Sequence, residues 1–256
     1  MRIKIGLDGT EKIVLPVGFN KYLQALIYTH LDKTDANWLH EQGFIFKKRH
    51  FRLFVFSSIL EKGVFDKETK TFTFPQKISF YLASPVDWII EQVATNLIKT
   101  KEVNLGPYKL QVLSIGVIKP EKITTDNIKI KAITPIEVHS TFTKPDGKKI
   151  THYYTPYEKE FSELINENLK KKWEVFYKHP CPFELSITPL FEGNRNERIV
   201  YFGTGKNKTI IKGWKGYFDL KGAPPLLQFA LDVGLGNRNS QGFGMIEVIK
   251  TITSVP

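Results

Sequence analysis

The 256 residues predict an α+β fold made of two successive β-α-β-β-α-β units. Strand-like alternation and helix-like periodicity follow one another in the same order twice, and Pro120 stands between the two runs. Hydrophobic residues at 41% supply apolar surface for a core in each unit, which excludes a disordered chain.

The first unit opens on a strand in which Ile3, Ile5 and Leu7 alternate with Lys4 and Gly6, turns at Asp8-Gly9 and resumes over 13–15. Pro16-Val17-Gly18 breaks it. Tyr22, Leu23, Leu26, Ile27 and Leu31 then recur at helical spacing, and a short second helix is expected over 35–42. Residues 51–58 (FRLFVFSS) and 71–82, joined by a turn around Lys62-Gly63, read as two central strands. Ser84-Pro85 caps a helix carrying Trp88, Ile89, Val93, Ala94, Leu97 and Ile98 on one face, and 108–118 closes the unit as a strand.

In the second unit, 128–142 reads as one arm of a hairpin that turns at Pro145-Asp146-Gly147 and returns over 150–154. Thr155-Pro156 starts a helix through Phe161, Leu164, Ile165, Leu169 and Trp173. Strands follow at 183–191, 199–202, 209–212 and 217–220. Pro224-Pro225 opens a helix over 226–233, and 245–252 ends as a strand. Each unit is thus ferredoxin-like, a small antiparallel sheet with both helices on one face. With no low-complexity linker between them, domains of residues 1–120 and 121–256 are expected to pack closely around a cleft.

The 37 Lys and Arg against 26 Asp and Glu leave a formal charge of +11, so a polyanion is the first partner to consider, with a merely solvated basic surface as the plain alternative. The single cysteine, Cys181, excludes an intrachain disulfide or a cysteine-rich zinc site and reads as structural. The first sixteen residues lack the apolar core of a signal peptide, and no stretch reaches the length of a membrane span. A cytoplasmic protein that engages no membrane is expected. No metal or other cofactor is expected, because the His and acidic residues show no ligand spacing.

One segment stands out: Gly234, Gly236, Gly242 and Gly244 with Asn237, Arg238, Asn239 and Ser240 between them, joining the last helix to the last strand. Read as a phosphate-binding loop, its glycines let the backbone approach a partner and its polar side chains donate to phosphate oxygens; read plainly, Gly234 is a helix C-cap before an ordinary loop. It is not a dinucleotide fingerprint, since it runs from helix into strand and has Asn239 where the third glycine belongs. Gly203-Thr204-Gly205-Lys206-Asn207 is no P-loop either, lacking Ser or Thr after the lysine.

A G-x-G-x5-G-x-G pattern in that position resembles the glycine-rich signature of the RAMP (repeat-associated mysterious protein) superfamily. With Tyr22 to Tyr28, Trp38-Leu39-His40-Glu41 and Phe51-Arg52-Leu53-Phe54, the chain resembles that superfamily's endoribonucleases of precursor CRISPR RNA, over essentially its whole length. The resemblance implies metal-independent cleavage within the repeats. The ribose 2′-hydroxyl attacks the adjacent phosphate and leaves a 2′,3′-cyclic phosphate and a 5′-hydroxyl. The implied partner is CRISPR repeat RNA, as precursor and product; other CRISPR effector subunits and a homodimer stay open. The alternative is a catalytically silent RAMP subunit that holds guide RNA in an effector complex.

Such chemistry needs proton transfer and a cation over the phosphorane. Histidine suits the first at neutral pH, and of His30, His40 and His50 the resemblance selects His40, leaving the other two as surface or helix-packing residues. It also selects Tyr28 to position or help deprotonate the 2′-hydroxyl, although Tyr28 reads equally as a core-boundary residue. Where active relatives use a lysine, this chain has Arg52, with Lys47 and Lys48 as nearby alternatives. Lys206, Lys208 and Lys212 are expected to line RNA phosphates from a hairpin, whereas Trp173 beside Lys170, Lys171 and Lys172 reads as core.

Overall fold

The computed structural model describes residues 1–119, 122–202 and 209–249. The first half runs β1 (Arg2–Asp8), β2 (Ile13–Pro16), α1 (Asn20–Thr29), α2 (Lys33–Glu41), β3 (Phe44–Phe46), β4 (Arg49–Phe51) and β5 (Val55–Phe56). It continues through β6 (Val64–Asp66), β7 (Thr71–Phe74), β8 (Lys77–Ala83), α3 (Asp87–Thr100), β9 (Glu102–Leu105) and β10 (Tyr108–Ile118). The second half runs β11 (Asn127–Ile136), β12 (His139–Thr143), β13 (Lys149–Tyr153), α4 (Lys159–Tyr177), β14 (Leu185–Pro189) and β15 (Glu197–Phe202). It closes with β16 (Thr209–Gly222), α5 (Pro224–Val233), a 3-10 turn at Asn239–Gln241 and β17 (Ile246–Val248).

Each half forms one main antiparallel sheet, in the orders β5-β8-β1-β10-β9 and β14-β16-β11-β17, with β15 paired to β16. Counting only the four strands of each β-α-β-β-α-β unit, both orders read second, third, first, fourth, the ferredoxin-like arrangement. Period-2 patterning puts Ile3, Ile5 and Leu7 of β1 on the inner face. Helical spacing turns Leu23, Leu26 and Ile27 of α1 and Ile89, Val93 and Leu97 of α3 into the same core. Each such buried side chain contributes about 1.5–3 kcal/mol. One contiguous core joins both halves, and the buried Arg2 of β1 reaches across to donate to the carbonyls of Leu231 (2.7 Å) and Ile246 (2.9 Å).

Several strands differ from expectation for local reasons. The strand expected over 51–58 is reduced to Val55–Phe56 at a sheet edge, because Leu53 sits at φ 51° in left-handed conformation and 49–51 pairs instead with 44–46. Pro75, which has no N–H to give a ladder, divides 71–82 between two sheets. The arm 128–142 breaks after Ile136, leaving the 139–153 hairpin as a separate ribbon. Strands 209–212 and 217–220 are instead one, β16. Helix α4 starts at Lys159, past the expected Thr155-Pro156. The domain boundary at 120–121, Lys206 and Lys208, and the last strand's end beyond Ile249 lie outside the described residues. Among the described residues no helix is long and apolar enough to cross a membrane.

Candidate active site

Helix α1 presents Asn20, Gln24 and Tyr28 one turn apart on a single face. The first two reach the other half of the molecule. Asn20 Nδ2 donates to the carbonyls of Gln241 (3.5 Å) and Gly242 (3.4 Å), and Gln24 Nε2 donates to Ser240 O at 2.8 Å. Tyr28, half-buried, packs edge-on against the His40 ring at 5.6 Å and the Phe54 ring at 5.8 Å. Buried Leu39 anchors the last turn of α2 in the core, which leaves the next residue, His40, exposed at the mouth of the cleft.

Arg52 is brought back to this helix end by the β3–β4 hairpin. Its guanidinium donates to the carbonyls of His40 and Gln42, two of the acceptors a helix C-terminus leaves unpaired. Burial pushes the Tyr28 hydroxyl above its ordinary range, and the adjacent Arg52 guanidinium pulls part of the way back. The phenol therefore stays protonated at neutral pH.

These groups line one open cleft of about 500 Å³, with Gln24, Arg49 and His50 from the first half and Lys172, Asn237, Arg238, Ser240 and Gln241 from the second. His50 was expected only to fill surface or helix. Its Nδ1 hydrogen goes to Gln42 O at 2.8 Å, so Nε2 is the nitrogen left to accept. His30 does fill the packing role, donating to Leu26 O at 2.8 Å from a buried position. Lys47 and Lys48 do not line the cleft: they form the exposed β3–β4 turn, with Lys47 Nζ 5.6 Å from the Phe46 ring centroid. Of the three cations considered, Arg52 alone lines the cleft. Lys212 is exposed on β16, paired to Glu197 at 3.4 Å, and also stands outside the cleft lining.

The glycine-rich segment is arranged differently from a bare phosphate cradle. Gly234, Gly236, Gly242 and Gly244 are all buried with positive φ, and their close neighbours are protein. A Cβ on Gly244 would land on Leu235 O, the residue whose N–H bonds Gly244 O at 2.9 Å. Asn239 is buried too: its amide donates to Leu235 O and Phe243 O at 3.0 Å each, and its Oδ1 accepts from Lys172 Nζ at 2.6 Å. Both amide N–H groups are thus spent inside the loop, and the side chain has none left over for a phosphate. Asn237 is half-buried, its N–H given to Glu137 O at 2.8 Å and its Oδ1 accepting from Asn168 at 3.2 Å. Arg238 and Ser240 remain at the cleft surface, with Arg238 Nη1 on Gln241 Oε1 at 3.2 Å.

Lys172, the last of three consecutive lysines beside Trp173, is only 3% exposed. Besides Asn239 it donates to Gly234 O (3.0 Å) and Gly236 O (3.1 Å), using all three N–H groups to hold the loop. Burial lowers its pKa from 10.5 to about 7. The unfolded chain then binds more protons than the folded one between those values, so stability should rise with pH across that window. The slope approaches about 1.4 kcal/mol per pH unit. Denaturant midpoints from pH 7 to 10 should show this rise in the unaltered chain and a flatter profile in Lys172→Met.

A family model for the C-terminal part of CRISPR-associated protein Cas6 matches residues 118–248, and one for the Cas6 N-terminal part matches 14–115. The chain is 29% identical to CRISPR-associated endoribonuclease Cas6 1 of Methanocaldococcus jannaschii, over 96% of this chain and 92% of that protein. It is 27% identical to CRISPR-associated endoribonuclease Cas6 of Pyrococcus furiosus, over 94% and 86%. Among solved structures, a CRISPR-associated protein Cas6 superposes with a TM-score of 0.75 at 25% identity, covering 98% of this chain and 99% of that one. A RAMP protein described as binding different RNA substrates superposes at 0.78 with 20% identity, over 98% of this chain and 100% of that one, a likeness of fold. Both halves of the chain match, at 14–115 and 118–248, and the chain belongs to the CRISPR-associated Cas6 family.

Proposed function

We propose that this chain is a cytoplasmic endoribonuclease that binds CRISPR repeat RNA between two ferredoxin-like units, residues 1–120 and 121–256, and cuts precursor CRISPR RNA within its repeats. The observation that carries this reading is the convergence of Tyr28, His40 and Arg52 on one wall of a cleft whose other wall is the glycine-rich segment, in a chain of this family.

The ribose O2′ attacks phosphorus and the P–O5′ bond breaks, so a proton must leave O2′ and another must reach O5′. His40, exposed at the cleft mouth, exchanges these protons. Tyr28, kept protonated by its burial, orients the reacting ribose or phosphate as a hydrogen-bond donor and is not the base. Arg52, fixed by two carbonyls, places positive charge beside the phosphorane. All three groups come from one chain.

Incubation with the repeat RNA of its own array in EDTA should give one cut per repeat, with 2′,3′-cyclic phosphate and 5′-hydroxyl ends. RNA that is bound but stays intact would make the chain a silent guide-holding subunit.

A further inference from the structure

Behind the glycine-rich segment lies a second group of ionisable and aromatic side chains that the cleavage chemistry does not use. At its centre is Glu137, in the break between β11 and β12, with a side chain 0% exposed. Its Oε1 accepts from His139 Nδ1 at 2.5 Å, and its Oε2 makes no hydrogen bond among the described residues but lies 3.7 Å from Arg238 Nε. A fully buried carboxylate with one oxygen left over is a costly device for folding alone. What it achieves is orientation. With Nδ1 committed to Glu137, His139 has only Nε2 to offer a ligand, and the edge of Arg238 that carries Nε is turned inward, away from the cleft it lines.

Tyr153 completes the group. It is the cross-strand partner of His139 at the root of the β12–β13 ribbon, and the two rings stand 5.7 Å apart at 51°. Burial raises the Tyr153 hydroxyl above its ordinary range and the neighbouring Arg238 draws it back, so the phenol and the guanidinium are in electrostatic contact. His139, Tyr153 and Arg238 are each partly exposed. Beyond them the ribbon carries Lys144, Lys148 and Lys149, all exposed.

We propose that Glu137 builds a nucleotide subsite beside the cleft, behind its second wall, in which Arg238, which lines the cleft, takes a backbone phosphate of the bound RNA and the His139 and Tyr153 rings, which stand outside the lining, take the adjoining ribonucleotide. This rests on the RNA-cleaving reading. The chemistry fits single-stranded RNA: a guanidinium held for phosphate oxygens, two ring faces for a base, and an imidazole acceptor for a ribose hydroxyl or base N–H.

The test uses the full chain and repeat RNA made uncleavable by a 2′-deoxy nucleotide at the cut position, so that affinity is measured apart from cutting. His139→Ala and Tyr153→Ala should each weaken binding about tenfold, the scale of a lost base–aromatic contact. Because either substitution also removes part of the ribbon's own packing, the unaltered protein is tested as well: bound RNA should slow modification of His139 by diethyl pyrocarbonate. Affinities within about twofold of the unaltered chain in both variants overturn the subsite. So does modification of His139 that RNA leaves unchanged, or a loss confined to the cleavage rate at saturating natural RNA, which would put the rings in the chemistry. Natural repeat RNA left intact by the unaltered chain sinks the cleavage reading and leaves these affinities interpretable.

Discussion

Replacing His40 by alanine is expected to slow single-turnover cleavage of repeat RNA about a thousandfold, the usual contribution of a positioned proton-transfer group, while affinity for uncleavable RNA changes little. The expectation follows from placement. His40 is exposed, so its removal leaves no cavity in the core, and the backbone carbonyl that holds Arg52 survives the change. Its ring is stacked edge-on to Tyr28, the group we assign to orientation. Tyr28→Phe should lose far less, about tenfold, because it deletes one hydrogen bond and no proton exchange. If His40→Ala keeps most of the rate and His50→Ala loses it, the proton-transfer role belongs to His50, whose accepting nitrogen serves the same cleft. His30 cannot take over without leaving its bond to Leu26 O.

Gly244→Ala is expected to destabilise the fold by about 3 kcal/mol and to weaken RNA binding with it. At φ 73° an L side chain is strained whatever the space, and here the space is taken by the Leu235 carbonyl. The bond from Leu235 N–H to Gly244 O and the Asn239 bonds that fix 235 and 243 must then shift, and Arg238 and Ser240 shift with them. Gly116→Ala is the internal control: on β10 no atom of the described residues lies within 4 Å of the added carbon and φ is not positive, so the denaturant midpoint should hold or rise slightly. A Gly244→Ala protein with the stability and affinity of the unaltered chain would show that the tight crossing at 235 and 244 is dispensable.

The duplicated plan was legible because element order survives even when strand ends do not. What broke the expected strands was local: a left-handed Leu53, which no sequence rule flags for a leucine, and Pro75, whose missing N–H divides 71–82 between two sheets. Tyr28, His40 and Arg52 were reachable only through resemblance, since nothing in their spacing announces that a hairpin folds Arg52 back onto the end of α2. The lysines at 47 and 48 were alternatives by letter, but they form that hairpin's turn, at the far end of β4 from Arg52.

Lys172 did carry a signal. In α4 the apolar stripe runs Phe161, Ile165, Leu169 and Trp173, and Asn168 and Lys172 lie just beside it at i and i+4, so of three consecutive lysines one had to point inward. The glycines were noticed, but their purpose was not readable. Whether a glycine admits a phosphate or another strand of the same loop depends on what lies opposite, and here that is Leu235, Asn239 and Glu137.

The bonds from Asn20 and Gln24 to the loop have a bearing on how substrate is admitted. They tie α1, which also carries Tyr28, directly to the opposite wall, and Arg2 ties the two sheets a second time. Hinge closure around a ligand would have to break these contacts at each turnover. The gap is therefore a gauge set at folding, and an RNA that enters without breaking these contacts itself bears the conformational cost of fitting.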